Sequence, residues 1–182
     1  AELIDKCVSI RKKSIRIGIS GTPGVGKTSF CQKAKWPSIS VQELAIQHGC
    51  IEEIDEDGAA PIDVETLREV VTWPQMDCLL IDGHLSHLLP IDAVIVIRCN
   101  PSALRERLEN RAYSAEKISE NIDCELIGLI AAECLDLPHL ELNSEYGLES
   151  MIASAEAWIT DGFKPRRPSE PIDWIQEIHG ED

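Results

Sequence analysis

The sequence predicts an α/β fold, a parallel β-sheet with helices on both faces, from three observations. A short apolar run from Ile15 leads into a glycine loop, Gly21-Thr22-Pro23-Gly24-Val25-Gly26-Lys27-Thr28, and then into residues that can carry a helix. Two further runs, residues 78–81 and 93–97, are apolar at every position. Such runs mark strands buried on both faces rather than strands with one wet face. Segments of helical period separate the runs, the order that builds parallel strands joined by crossover helices.

Ahead of the first strand, Arg11-Lys12-Lys13 reads as a solvated basic flank. The glycine loop has the Gly-x-x-x-x-Gly-Lys-Thr spacing of a P-loop, in its required place between a strand and a helix. Gly21, Gly24 and Gly26 carry no Cβ, so the backbone can wrap closely around phosphate oxygens. The following helix N-terminus adds partial positive charge. Lys27 would reach the β- and γ-phosphates, and Thr28 would offer its hydroxyl to Mg²⁺. The helix runs to about Lys35, where Trp36-Pro37 stops it.

A brief strand over 38–41 and a helix over 42–48 follow, the latter closed by Gly49. Residues 36–67 contain no Lys or Arg but eight acids: Glu43, Glu52, Glu53, Asp55, Glu56, Asp57, Asp63 and Glu65. Asp55-Glu56-Asp57-Gly58 reads as a surface loop. Asp63 is a suitable N-cap for a helix reaching about Val71. The strand over 78–82 ends in Asp82, the Walker B form, in which the acid holds Mg²⁺ directly or through water. Gly83-His84 then places an imidazole at the carboxyl edge of the sheet, where ligands of open α/β folds sit.

After the strand over 93–98, Asn100-Pro101-Ser102 opens a helix bearing Arg105, Arg107 and Arg111, of which Arg107 and Arg111 share a face. Ser114 would cap a long amphipathic helix over 118–135, with Ile118, Ile122, Leu126, Ile130 and Cys134 inward. A last strand is expected over 137–142. A closing helix over 148–159 would turn Ile152, Ala155 and Trp158 inward. Beyond Gly162 the chain reads as an extended stretch, followed by a short amphipathic piece around Trp174, Ile175 and Ile178.

A length of 182 residues suits one domain, 1–182, with its own core. Seven cysteines without a Cys-x-x-Cys pair read as reduced thiols of a cytoplasmic protein. No stretch approaches the ~20 apolar residues of a membrane span. The formal charge of −15 disfavours direct binding to bare nucleic acid and suits either solubility or a basic protein partner.

Three motifs together resemble the adenylate kinase isoenzyme 6 family, small nucleoside-monophosphate-kinase-like ATPases of archaea and eukaryotes tied to small-subunit ribosome maturation. They are the glycine loop, Asp82-Gly83-His84, and Arg107-Leu108-Glu109-Asn110-Arg111-Ala112-Tyr113-Ser114 with Glu116-Lys117-Ile118 and residues 120–125. The resemblance spans about 15–159. It implies a P-loop NTPase with a Rossmann-like, five-stranded parallel core over 15–160, a monophosphate-binding insert over about 40–67, a short lid over about 111–121, and a tail over 163–182. It implies ATP and Mg²⁺, phosphoryl transfer to AMP-type acceptors, ATP hydrolysis, and small-subunit ribosomal protein eleven as a basic partner.

Position by position, Gly24, Gly26, Lys27, Thr28 and Ser29 would hold phosphates and metal, and Asp82 would position Mg²⁺ or its water. Arg111 would contact ATP from the lid, with Arg107 assisting. His84 matches the family histidine associated with hydrolysis; a purely structural histidine is the alternative, as a solvated helix-end arginine is for Arg111. The arginine-free insert departs from the usual monophosphate kinase, where a guanidinium clamps the acceptor phosphate. That leaves flanking Arg68 or Arg98, with the lid, for this task. Two readings stay open: a nucleoside monophosphate kinase with ATPase activity, or an ATP-gated assembly factor with little kinase activity. A small-metabolite kinase shares the loop but lacks the lid motif.

Overall fold

The apolar runs form the centre of a five-stranded sheet because their alternate side chains fill two separate layers. The computed structural model describes residues 14–54 and 60–180. Its strands are β1 (Ile15–Ser20), β2 (Ser38–Ser40), β3 (Cys78–Asp82), β4 (Ala93–Arg98) and β5 (His139–Asn143). They lie in the order β2-β3-β1-β4-β5, and all four neighbouring pairs are parallel. Every residue of β4 is buried, which accounts for its unbroken apolar sequence.

Helices α1 (Lys27–Lys33), α4 (Pro101–Asn110) and α7 (Leu148–Thr160) cover one face. There Phe30, Leu104, Leu108, Met151, Ala155 and Trp158 pack with Ile17, Ile19, Leu80, Ile95 and Ile97 of the strands. The opposite face carries α2 (Val41–Gln47), α3 (Val64–Val70) and α6 (Leu129–Glu133). Leu44 and Leu67 meet Leu79 and Ile81, while Ile130 and Cys134 meet Val94 and Val96. Adjacent strand residues thus enter opposite layers, as the pleat requires.

Several boundaries differ from the sequence reading. Val41 opens α2 rather than ending a strand, because Ser40 and Glu43 form a capping box, each side chain bonded to the other's backbone N–H. Asp63 caps α3 as expected, accepting from the Thr66 N–H at 3.1 Å. Ser114 likewise caps α5 (Ala115–Ile127), accepting from the Lys117 N–H at 3.2 Å.

The single helix expected over 118–135 is broken at Gly128, which adopts φ 65° and separates α5 from α6. A Cβ on Gly128 would lie 3.4 Å from Arg98 Nη2, so the break lets the chain turn over a buried guanidinium. The amphipathic piece near Trp174 is helix α8 (Trp174–His179), and Trp174 itself is fully buried. The basic flank at 11–13 and the acidic loop at 55–58 lie outside the described residues. Every described cysteine is a free thiol. Among the described residues no helix is long and apolar enough to cross a membrane.

Candidate nucleotide-binding site

The site begins where β1 ends. Gly21 has φ 141°, and a Cβ there would come within 2.5 Å of the Ile97 carbonyl oxygen. Gly24 has φ 94°, and its Cβ would lie 2.9 Å from Leu108 Cδ2. Glycine is therefore required at both positions by conformation and by space. The loop then enters α1 with Gly26 as its N-cap.

The loop is held from inside and outside. Lys27 Nζ donates to the carbonyls of Gly21 at 2.8 Å and Thr22 at 3.0 Å. Arg107, reaching across from α4, donates through Nη1 to the carbonyl of Val25 at 3.1 Å and lies 3.4 Å from that of Gly24. Burial pushes the Lys27 ammonium down to about 8; Asp82 opposes this and the Arg111 charge adds to it. Lys27 thus sits charged at neutral pH but short of anionic partners.

Parallel pairing of β1 and β3 sets Ile19 beside Asp82. This register brings the Asp82 carboxylate under the start of α1, where it accepts from the Thr28 hydroxyl at 2.9 Å. These are hard oxygen donors, of the kind Mg²⁺ selects. Among the described residues no group of three or more His, Cys, Asp or Glu side chains could hold a metal. A Mg²⁺ ion held by Thr28 and Asp82 would complete its shell with phosphate oxygens and water, its usual habit at phosphoryl sites.

His84 follows on a tight turn. Gly83 makes that turn possible: its φ is 157°, and a Cβ would fall 2.7 Å from Val41 Cγ2. The Ser20 hydroxyl donates to the His84 carbonyl at 3.2 Å and contacts His87 Nδ1 at 2.9 Å, while His87 Nε2 meets Glu133 at 2.6 Å. The turn is therefore anchored to β1 and α6. Partial burial, then Lys27 and His87, push the His84 imidazole down to about 4. The imidazole is therefore neutral at pH 7, with one side of the residue open to solvent.

Around these groups lies a cavity of about 670 Å³, a volume suited to a nucleotide. Gly24, Gly26, Lys27, Thr28, Ser29, Asp82, His84 and Arg111 all line it, so one space collects these eight residues, while Arg107 stays outside it. Arg111 ends α4 as its C-cap, its backbone N–H donating to the Leu108 carbonyl at 3.1 Å, and its side chain makes no hydrogen bond or ion pair among the described residues. Ser40, Val41, Gln42, Ile54, Ala60 and Ile62 form the opposite wall, without a cation. A second cavity of about 510 Å³ adjoins through His84 and Tyr113, and Lys117 lines it.

The two arginines considered for an acceptor phosphate are elsewhere. Arg68 is exposed on α3 and does not line the cavity. Arg98 is 2 % exposed and paired with Glu125 and Glu141, so it is excluded as a phosphate clamp. The sequence reading places Glu125 at the end of the 120–125 motif but gives it no role, although it lies seven residues after Ile118 and three after Ile122, on the stripe that α5 buries. A carboxylate on an apolar stripe was the available signal.

Fold and site together define an α/β P-loop NTPase, and comparison with known proteins narrows the class. The family described as "AAA domain" matches residues 17–128. A protein of Archaeoglobus fulgidus named "Putative adenylate kinase" is 39 % identical over 170 residues, covering 89 % of this chain and 93 % of its own. A Pyrococcus abyssi protein of the same name is 39 % identical over 125 residues, covering 66 % and 68 %. A shikimate kinase from Bacteroides thetaiotaomicron superposes with a TM-score of 0.51 at 17 % identity, over 80 % of this chain and 98 % of its own, a likeness of fold alone. The chain belongs to the adenylate-kinase-like family of nucleoside-monophosphate-kinase-type enzymes.

Proposed function

We propose that the protein is an ATP- and Mg²⁺-dependent nucleoside monophosphate kinase of the adenylate type, with ATPase activity. The observation that carries this reading is the Thr28–Asp82 contact beside Lys27, in a cavity that continues without interruption to His84 and Arg111. The N–H groups of Gly24 and Gly26 and the start of α1, with Ser29, would cradle the β- and γ-phosphates. Lys27 would leave the Gly21 and Thr22 carbonyls to bridge those phosphates. Magnesium at Thr28 and Asp82 would supply charge neutralisation across the β- and γ-phosphates.

In the transfer, an oxygen of the acceptor monophosphate attacks the γ-phosphorus. The bond from that phosphorus to the β,γ-bridging oxygen breaks, and ADP leaves. With AMP as acceptor, both products are ADP. The protein's work is positioning and electrostatic stabilisation. Arg111, held on the turn that starts the 111–121 lid, would meet the transferring group as the lid closes over it. In the absence of acceptor, neutral His84 can accept from or donate to a water in the same place. Among the described residues the cations lining these cavities, and so available to an acceptor phosphate, are Lys27, Arg111 and, from the adjoining cavity, Lys117. The test is a panel of AMP, CMP and UMP against a no-acceptor control. A kinase forms ADP faster with an acceptor; equal rates throughout would leave an ATPase alone.

The cation-free insert favours a second reading, in which the ATP cycle gates the grip on a basic protein. The resemblance to ribosome-maturation ATPases makes small-subunit ribosomal protein eleven, in the cytoplasm, the partner to try. Capture of that protein should then differ between ATP and ADP states. Equal capture in both removes the reading.

A further inference from the structure

A carboxylate that plays no part in the proposed chemistry lies sealed behind the glycine loop. Glu125 is 2 % exposed, and its carboxylate accepts hydrogen bonds from four groups on three separate parts of the chain. Its Oε2 takes the Thr22 hydroxyl at 2.7 Å. Its Oε1 takes Arg98 Nε at 2.9 Å, the Cys99 backbone N–H at 3.0 Å and the Trp174 indole N–H at 3.0 Å. Arg98 in turn donates to the carbonyls of Glu125 and Ile172, both at 3.0 Å, and its guanidinium lies 5.8 Å from the centre of the Trp174 ring. A carboxylate can be buried this deeply only when donors saturate it, and saturation fixes each donor in place.

We infer that Glu125 is a positioning residue of the nucleotide site, and that the C-terminal segment extends its brace through Ile172 and Trp174. The inference rests on the reading of Gly21 to Thr28 as the ATP loop. The Thr22 carbonyl receives Lys27 Nζ at 3.0 Å and the Val25 N–H at 3.3 Å, while the Thr22 side chain is tied to Glu125. When Lys27 turns to phosphate it releases the Thr22 carbonyl. The Thr22–Glu125 bond then remains as the side-chain tie at this corner of the loop. A loop fixed beforehand loses less freedom on binding than one that must be ordered by the ligand. Trp174 does not line the cavity, and its side chain's one hydrogen bond among the described residues, from the indole N–H, leads to Glu125.

The experiment compares binding of a ribose-labelled fluorescent ATP analogue with Mg²⁺ across the wild-type chain of 182 residues, Thr22→Val, Thr22→Ser, Trp174→Phe and the Thr22→Val/Trp174→Phe double variant. Melting temperature is recorded alongside, and binding is measured well below it. Thr22→Val keeps shape and removes the hydroxyl, Thr22→Ser restores it, and Trp174→Phe removes only the indole donor and part of the ring. Thr22→Val and Trp174→Phe should each weaken binding by about three- to tenfold, one hydrogen bond's worth. Thr22→Ser should stay within about twofold of wild type, and the double variant should fall short of the product of the singles, since both act on one carboxylate. Wild-type affinity in Trp174→Phe with a lowered melting temperature would make the C-terminal segment a stability element only and overturn its part in the brace. Wild-type affinity in Thr22→Val would overturn the role of Glu125. A wild-type protein that fails to bind the analogue would instead remove the reading of the loop on which the inference stands.

Discussion

Lys27 is held in two ways that oppose each other. It donates to two loop carbonyls, yet burial and the Arg111 charge weaken its hold on its own proton. On the proposed role, bound phosphate would relieve that tension, so Lys27→Ala should lower turnover by at least about 100-fold and weaken ATP binding, as loss of one preorganised donor does elsewhere. Retained turnover would remove the loop assignment. His84→Ala should slow hydrolysis while leaving ATP affinity within about twofold, a split that separates water orientation from structural support. The pH profile follows from the same two groups. On the proposed roles ATP hydrolysis by the free enzyme uses Lys27 charged and His84 neutral, so kcat/KM for hydrolysis should rise as pH passes about 4 and fall as it passes about 8. Bound phosphates favour the ammonium, so the alkaline fall in kcat should lie at higher pH than that in kcat/KM. A single alkaline midpoint shared by both profiles would contradict this placement of Lys27.

At the level of elements, Gly128 marks where sequence and structure part. Its left-handed backbone ends α5 and starts α6 against the Arg98 guanidinium. Gly128→Ala should destabilise by about 1–2 kcal/mol in urea unfolding, the cost of placing a Cβ in that conformation. The apolar period runs through Gly128 from Ile122 to Ile130, which is why the sequence read as one helix. The strands, the glycine loop, the Asp63 and Ser114 caps and the Asp82-Gly83-His84 turn were all legible, because each is written in adjacent residues. The Glu125 cluster was not, because Thr22 and Glu125 are 103 positions apart and Trp174 is a further 49 along. Arg98 looked available for phosphate only because a lone arginine at a strand end does not reveal that two acids from α5 and β5 enclose it.

For the molecule as a whole, nucleotide binding and stability are one equilibrium. Mg²⁺-ATP at about 100 times its dissociation constant should add about 2.7 kcal/mol, or roughly 5–10 °C in Tm for a chain of this size. Lys27→Ala should lose most of that shift while keeping its unliganded Tm, measured by thermal unfolding with and without nucleotide. The wall of the cavity from Ser40 to Ile62 carries no cation among the described residues, so on the proposed kinase reading an acceptor phosphate would be met by Lys27, Arg111 and Lys117. Whether the γ-phosphoryl group reaches such an acceptor is best followed by its label. With γ-³²P-ATP, Mg²⁺ and AMP, the label should appear chiefly in ADP, in quantities that rise with AMP concentration. Label recovered only as inorganic phosphate, at a rate unchanged by AMP, CMP or UMP, would contradict the kinase reading and leave an ATPase.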